Sequence, residues 1–369
     1  DIMVKFLDLQ KINECFEPEL SHAVTQTIAS GWYLRGMETA AFEHSFAEYC
    51  HRRYCVGTAN GLDALTLVLA ARKKIAGWSD DSEVIVPAMT FVATAQAVVR
   101  AGLKPVFVDV DEHALIDSAL LSKAITSRTR AVIPVHLYGQ LVEMSEIWRI
   151  ASSTGLFVLE DAAQAHGTAG KGPSHALAFS FYPGKNLGAL GDAGAVVTDD
   201  LELAETVRAM ANYGSRKKYY HETEGCNSRI DELQAAMLNV KLKRLDTDNE
   251  RRRMVARLYT SELQKIENMG RGFRLLHPTA ESVHHVYPVL CSKKKKLKMH
   301  LEAQGIETLI HYPIPLHQQP CLARYHTSDK TFPKAEEIAA SVLSLPISPI
   351  LTEDEVYQVI HAVLSFYGL

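Results

Sequence analysis

Apolar and polar positions along the chain alternate between two periods. After an N-terminal arm, Glu17–Ser30 repeats its apolar residues at helical spacing until Gly31-Trp32-Tyr33-Leu34 breaks the pattern, and Glu38–Tyr49 repeats it. From residue 54 onward, short apolar runs alternate with helical segments. The runs are Tyr54–Gly57, Glu83–Val86, Pro105–Val110, Ala131–Val135, Val158–Asp161, Ala176–Tyr182 and Gly194–Thr198. Between and after them, Leu62–Arg72, Phe91–Ala101, Ser118–Ile125, Met144–Thr154 and Leu201–Ala211 read as helices. This alternation predicts βαβ units on a mainly parallel sheet. The runs are nearly all apolar, as expected of strands covered by helices on both faces.

The pattern changes after Thr198. Residues 213–229, with paired tyrosines, lysines and glycine, read as a loop, and Ile230–Arg253 reads as a long helix that Met254–Lys265 continues after a bend. His285–Leu290 carries a strand signal, and Lys294–Gln304 and Glu353–Leu364 carry helix signals. The expected organisation is an N-terminal arm and large domain over residues 1–245 and a smaller α/β domain over 246–369. A chain of 369 residues exceeds what one core usually organises.

Composition narrows the class. Hydrophobic residues make up 47% and charged residues 22%, with a net charge of −4 and the two signs interspersed, which argues against a nucleic-acid surface. No apolar run reaches the roughly 18 residues of a membrane span, and no signal-peptide pattern precedes the first helix. Asp1-Ile2-Met3 suggests that the natural start is Met3. The six cysteines are scattered without a CxxC pair, so the expectation is a reduced, cytoplasmic protein. The run Lys293–Lys296 reads as a solvated helix start.

The chemistry concentrates between Phe157 and Thr198. Asp161 ends a strand, at the crevice where open α/β sheets bind ligands, and a buried carboxylate there needs a cation or hydrogen-bond donors. Strand alternation turns Glu160 to the other face. Lys185 lies in a loop with Gly184, Gly188 and Gly191 rather than on a solvated helix face. A lysine desolvated in such a place becomes a nucleophile able to form a Schiff base. The turn Thr58-Ala59-Asn60-Gly61 opens an apolar helix, whose N-terminus suits a phosphate. Phe91, after the second strand, is placed either in the core or against a flat aromatic ligand. Neither GxxxxGK[ST] nor GxGxxG occurs, which lowers nucleotide triphosphate and dinucleotide readings. The pair His284-His285 has no HExxH or Cys/His context, so no metal is expected, and the absence of GxSxG removes a serine triad.

The stretches TANGLDAL, PAMTFVAT, VHLYGQ, EDAAQAHG, FSFYPGKNLGALGDAGAVV, NSRIDELQAA and HYPIPLHQQP, in that order, resemble the DegT/DnrJ/EryC1/StrS family. The resemblance runs from about Phe6 to Tyr367. It implies a fold-type I pyridoxal-phosphate-dependent transferase, with a mainly parallel, mixed seven-stranded sheet between helices and a smaller C-terminal domain. By that likeness Lys185 is the Schiff-base lysine that also shuttles the proton, and Asp161 pairs with the pyridinium nitrogen. Gln164 contacts the ring hydroxyl, Phe91 stacks on the ring, and Asn60, Gly61 and Ser180 hold the phosphate. Asn227 reaches the cofactor phosphate of a second subunit, and Arg229, His311 and Tyr312 contact the nucleotide sugar. Ala193 departs from a glycine common in the family, Cys226 from a frequent aromatic, and the stretch 170–175 is short, so no contacts are carried across it.

The implied reaction moves an amino group from L-glutamate, released as 2-oxoglutarate, to a nucleotide-linked keto sugar. The opening FLDLQ, residues 30–34 and NGLDAL are most similar to members acting at C3 of dTDP- or UDP-linked 3-keto sugars, with C4 of a 4-keto-6-deoxy sugar as the alternative. A sugar dehydratase would have histidine in place of Lys185. A regulatory pyridoxal-phosphate-binding protein would have lost the lysine, the acid or the phosphate residues. A homodimer with shared sites, in amino-sugar or surface-polysaccharide biosynthesis, is the expected assembly and setting.

Overall fold

The computed structural model describes residues 3–277, 281–327 and 329–369, so the Asp1-Ile2 pair before Met3 lies outside the described residues. Its large sheet has seven strands: β1 (Tyr54–Thr58), β2 (Glu83–Pro87), β3 (Lys104–Val108), β4 (Thr129–Val132), β5 (Phe157–Asp161), β6 (Ala176–Ser180) and β7 (Gly194–Thr198). Their order is β1-β7-β6-β5-β4-β2-β3. Only β7 runs against its neighbours, so the sheet is mixed and mainly parallel, as expected.

Alternation along the strands sorts two helix layers. Leu177 and Phe179 of β6 join Phe42 and Phe46 of helix Met37–Tyr49 and Leu238 of helix Glu232–Leu242. Ala176 and Ala178, on the opposite face, leave room for Ala64 and Val68 of helix Gly61–Ala76. Asn60 caps that helix by accepting the Asp63 N–H at 2.8 Å, and Gly77 ends it in a left-handed conformation.

A hairpin of β8 (Ser215–Lys217) and β9 (Tyr220–His221) rises within the predicted 213–229 loop. The long helical stretch breaks earlier than expected, at Lys243-Arg244, between helices Glu232–Leu242 and Leu245–Asn268. Leu245 packs beside the large sheet, whereas Val255, Tyr259 and Leu263 pack in a second cluster, and the break lets the chain pass from one to the other. That second cluster covers an antiparallel sheet of β10 (Phe273–Leu275), β11 (Tyr287–Cys291) and β12 (Val342–Leu345), with helices Lys294–Ala303 and Glu353–Phe366. Val4 of the N-terminal arm joins it through a bridge to Ile306. Strands β10 and β12 and helix Pro333–Ser341 carry no clear sequence signal, and the N-terminal arm holds a short helix, Leu9–Glu14. Among the described residues, no helix is long and apolar enough to cross a membrane.

Candidate active site

Register brings the sequence-predicted residues to one edge of the large sheet. Thr58 of β1 and Ser180 of β6 both face Gly194 of β7, so the turn after β1 lies over the end of β6. Two glycines permit that approach. A Cβ on Gly61 would sit 2.6 Å from Ser180 Cβ, and one on Gly194 would sit 2.4 Å from the carbonyl of Asn60. Asn60, Gly61 and Ser180 therefore converge at the N-terminus of a 16-residue helix, where backbone donors and the helix dipole favour an anion.

Asp161, at the end of β5, is buried. Its Oδ2 accepts the Thr94 hydroxyl at 2.8 Å and its Oδ1 accepts the Ala163 N–H at 3.2 Å. Burial pushes its pKa up, and the two hydrogen bonds and Lys185 pull against that shift. A carboxylate has about four acceptor positions, so there is capacity left for a cationic donor. Glu160 faces the other side, as alternation predicts, and accepts from His136 Nε2 at 2.6 Å. His136 Nδ1 in turn accepts the Val142 N–H, which fixes the proton on Nε2.

Lys185 follows β6 through a turn closed by its own N–H on the Tyr182 carbonyl at 2.8 Å. Partial burial lowers its pKa to about 8, with Asp161 offsetting part of the shift. The loop is fastened from outside. Asn186 Nδ2 donates to Asn249 Oδ1 at 2.8 Å and to the Val283 carbonyl at 2.9 Å, and Lys241 Nζ donates to the Gly188 carbonyl at 2.8 Å. Asn249 also donates to the His166 carbonyl. His166 Nε2 donates to the Ser180 carbonyl at 2.8 Å, and its buried Nδ1 has no partner among the described residues. Burial and the nearby lysine lower the His166 pKa to about 3, so the ring is neutral.

The far wall comes from another part of the chain. Gln164 Nε2 donates to the Tyr312 hydroxyl at 2.9 Å, and the Phe91 ring lies 5.6 Å from the Tyr312 ring. Phe91 itself is 52% exposed, which places it at the cleft rather than in the core. His311 Nδ1 meets Ser344 Oγ at 2.9 Å, and burial lowers its pKa to about 4. Asn227 and Arg229 do not join this group. Asn227 is exposed and bridges Asn212. Arg229 donates to Asn212 Oδ1 at 2.8 Å and lines a separate cleft with Arg35, Glu43 and Arg208. Sequence reasoning missed Thr94, Asn186, Asn249 and Tyr138. Thr94 and Tyr138 sit inside the quoted stretches PAMTFVAT and VHLYGQ, and Thr94 lies one helical turn beyond Phe91.

The donor set fits a pyridoxal phosphate. An amine of lowered pKa suits an aldehyde, a buried acid with spare acceptor capacity suits a protonated ring nitrogen, and a helix N-terminus suits a phosphate. Among the described residues, no group of His, Cys, Asp and Glu is arranged to hold a metal ion.

The sequence profile of the DegT/DnrJ/EryC1/StrS aminotransferase family matches residues 14–364. The chain is 46% identical to the erythromycin biosynthesis sensory transduction protein EryC1 of Saccharopolyspora erythraea, over 97% of this chain and 98% of that one. It is 45% identical to the dTDP-3-amino-3,4,6-trideoxy-alpha-D-glucose transaminase of Streptomyces venezuelae, over 98% and 95%. Among solved structures, S. venezuelae DesV superposes with a TM-score of 0.94 at 44% identity, covering all of both chains. NtdA from Bacillus subtilis, solved with bound cofactor PMP, superposes with a TM-score of 0.92 at 30% identity, covering 99% of this chain and 85% of that one.

Proposed function

The chain belongs to the DegT/DnrJ/EryC1/StrS aminotransferase family and is a pyridoxal-phosphate-dependent sugar aminotransferase, and from that premise we propose that it aminates C3 of a dTDP- or UDP-linked 3-keto sugar with L-glutamate as donor. The observation that carries the reaction type is the convergence of Lys185 and Asp161 on one crevice at the edge of the sheet. The C3 assignment is supported by likeness to the S. venezuelae transaminase, which is named for a 3-amino sugar.

In this reading Lys185 holds the cofactor covalently, Asp161 holds its ring nitrogen, and Gln164 its ring oxygen. Phe91 covers the ring face, and Asn60, Gly61 and Ser180 take the phosphate. When bound, pyridoxal phosphate would supply the carbonyl that carries the amino group between donor and keto sugar and the electron sink for the reacting carbon. The chain's own part is to hold charge and move protons. At a pKa of about 8, roughly a tenth of Lys185 is free base at pH 7, so it can take and return a proton as a positioned general base. The Thr94 and Ala163 bonds keep Asp161 oriented, and burial of its charge makes a cationic partner favourable. Neutral His166 holds the Ser180 carbonyl without adding positive charge beside Lys185. EryC1 carries a regulatory name, but a purely regulatory role here would leave the Lys185 and Asp161 chemistry unused. The test is a panel of dTDP- and UDP-linked 3-keto and 4-keto sugars with glutamate. Turnover of the 3-keto members is expected, and turnover of 4-keto members alone would overturn the C3 assignment.

The division into domains at 245/246 is likewise proposed, supported by the second apolar cluster around β11. A cytoplasmic location is proposed on the six free cysteines. So is a homodimer with shared sites. Asn227 is exposed, while the neighbouring Ser228 hydroxyl accepts the Ala59 N–H beside the phosphate turn. Close by, the Leu34–Asp231 bridge brings up an exposed apolar segment that includes Trp32, Tyr33 and Met37. Asn227→Ala is expected to weaken cofactor retention. Mixing it with Lys185→Ala under exchanging conditions should restore up to about a quarter of parent activity, because one site in each mixed dimer is intact. No recovery on mixing, with subunit exchange verified, would count against shared sites.

A further inference from the structure

Tyr138 combines three unusual features. It is 1% exposed, it is not glycine yet sits in the left-handed region at φ 65°, and all its polar groups are engaged around the cleft. Its N–H donates to Gln164 Oε1 at 2.7 Å, its carbonyl accepts the His285 N–H at 2.9 Å, and its hydroxyl donates to the His311 carbonyl. A non-glycine residue holds that conformation at a cost, and only where its surroundings over-determine it.

The direction of these bonds follows from elementary chemistry. A backbone N–H can only donate, so the Gln164 atom facing Tyr138 must be the carbonyl oxygen. The Gln164 amide therefore turns its NH2 to Tyr312. A side-chain NH2 can only donate, so the Tyr312 oxygen accepts at 2.9 Å and keeps its own proton for another partner. Burial raises the Tyr312 pKa, so the hydroxyl is protonated at neutral pH. Among the described residues no acceptor takes that proton.

We infer that Tyr138 is a positioning residue whose backbone N–H sets the polarity of a hydrogen-bond chain through Gln164 to Tyr312, so that Tyr312 meets the sugar substrate as a donor, on an acceptor oxygen. The inference rests on the sugar-amination reading for the identity of that oxygen. The order of the chain itself rests on geometry alone. The Tyr138 hydroxyl complements it by tying down the carbonyl of His311, the residue before Tyr312.

The experiment uses the holoenzyme and Gln164→Met, Gln164→Glu, Tyr312→Phe and Gln164→Glu/Tyr312→Phe variants. In protein labelled with 15N-tyrosine, the Tyr138 amide should exchange slowly in the parent and in Gln164→Glu, whose carboxylate still accepts. It should exchange about 3- to 10-fold faster in Gln164→Met, the loss of one hydrogen bond. Glutamate at position 164 reverses the next link, because its carboxylate draws the Tyr312 proton toward itself. Gln164→Glu and Tyr312→Phe should therefore each raise the KM for the keto sugar about 3- to 10-fold, and the double variant should lose no more than the worse single. Parent-like protection in Gln164→Met overturns the role of Tyr138. Multiplying losses in the double variant, or an unchanged KM in Tyr312→Phe, overturns the donor assignment. If the parent turns over no keto sugar, the functional reading fails, and the amide exchange still decides the chain.

Discussion

Replacing Lys185 with alanine is expected to lower turnover by about 10⁴-fold or more, the upper end of what a positioned general base contributes, because the same side chain also tethers the cofactor. The visible absorbance that a lysine-linked pyridoxal phosphate gives should disappear with it. Either a retained band or a turnover within tenfold of the parent would remove Lys185 from its central place. A stability measurement makes the assignment independent of activity. Burial lowers the Lys185 pKa from 10.5 to about 8, so the folded apoprotein is penalised for carrying the charged amine. The sign follows from proton counting. Between pH 8 and 10.5 the unfolded chain binds more protons than the folded one, so stability rises with pH across that window. Lys185→Met removes the penalty. The apoprotein variant should be more stable than the parent by on the order of 2 kcal/mol at pH 7, discounted for the partly open cleft mouth. The gain should fade as pH climbs above 8. Chemical denaturation of the two apoproteins at pH 7 and pH 10 reads this directly, and an equal gain at both would mean that packing, not charge, is responsible. The residue that the reaction needs most is then one that the empty fold tolerates at a cost.

How much of this was legible in the sequence varied with the physics behind each element. The seven strands of the large sheet read from the chain because burial on both faces makes them apolar at most positions, a pattern a solvated loop does not show. Asp161 read as a site residue because it ends a strand of an open α/β sheet, the Asn60-Gly61 turn because it opens a helix, and Ser180 through the family likeness. The break at Lys243-Arg244 did not read, because no proline or glycine marks it. Its cause is tertiary: Leu245 and Val255 belong to different clusters. Strands β10 and β12 span three and four residues, too few for a period to appear. Tyr138 was the least legible. Left-handed conformations are ordinarily announced by glycine or asparagine, whereas here a buried aromatic is held there by partners drawn from residues 164, 285 and 311. Asn249 illustrates the same limit. It looks like one polar residue on a charged helix, yet it is buried and joins the Lys185 loop to His166.

Asp161→Asn should lower turnover by about 10³-fold, since removing one member of a buried charge pair costs about 3–5 kcal/mol. The substitution preserves shape and leaves one oxygen to accept from Thr94 or Ala163. What it removes is the negative charge that would keep a ring nitrogen protonated, so the loss should fall on kcat and on cofactor affinity together. The empty protein should respond in the opposite sense. In the folded apoprotein, burial raises the Asp161 pKa above 3.8, so the cost in stability builds up as the pH rises from 3.8 to the folded value, is complete above that value and is absent below 3.8. Asp161→Asn should therefore leave the apoprotein as stable as the parent or more so at pH 7, with the advantage disappearing in acid. Thr94→Val, which removes the 2.8 Å donor but keeps the carboxylate, should give a smaller loss of about tenfold or less. Measuring kcat, cofactor dissociation and apoprotein denaturation on the same three proteins separates the explanations. If Asp161→Asn destabilises the apoprotein as strongly as it slows the enzyme, the acid serves the fold rather than the cofactor. If it spares the apoprotein and empties the holoenzyme, the carboxylate is a charge whose cost the fold bears until a cation is bound beside it.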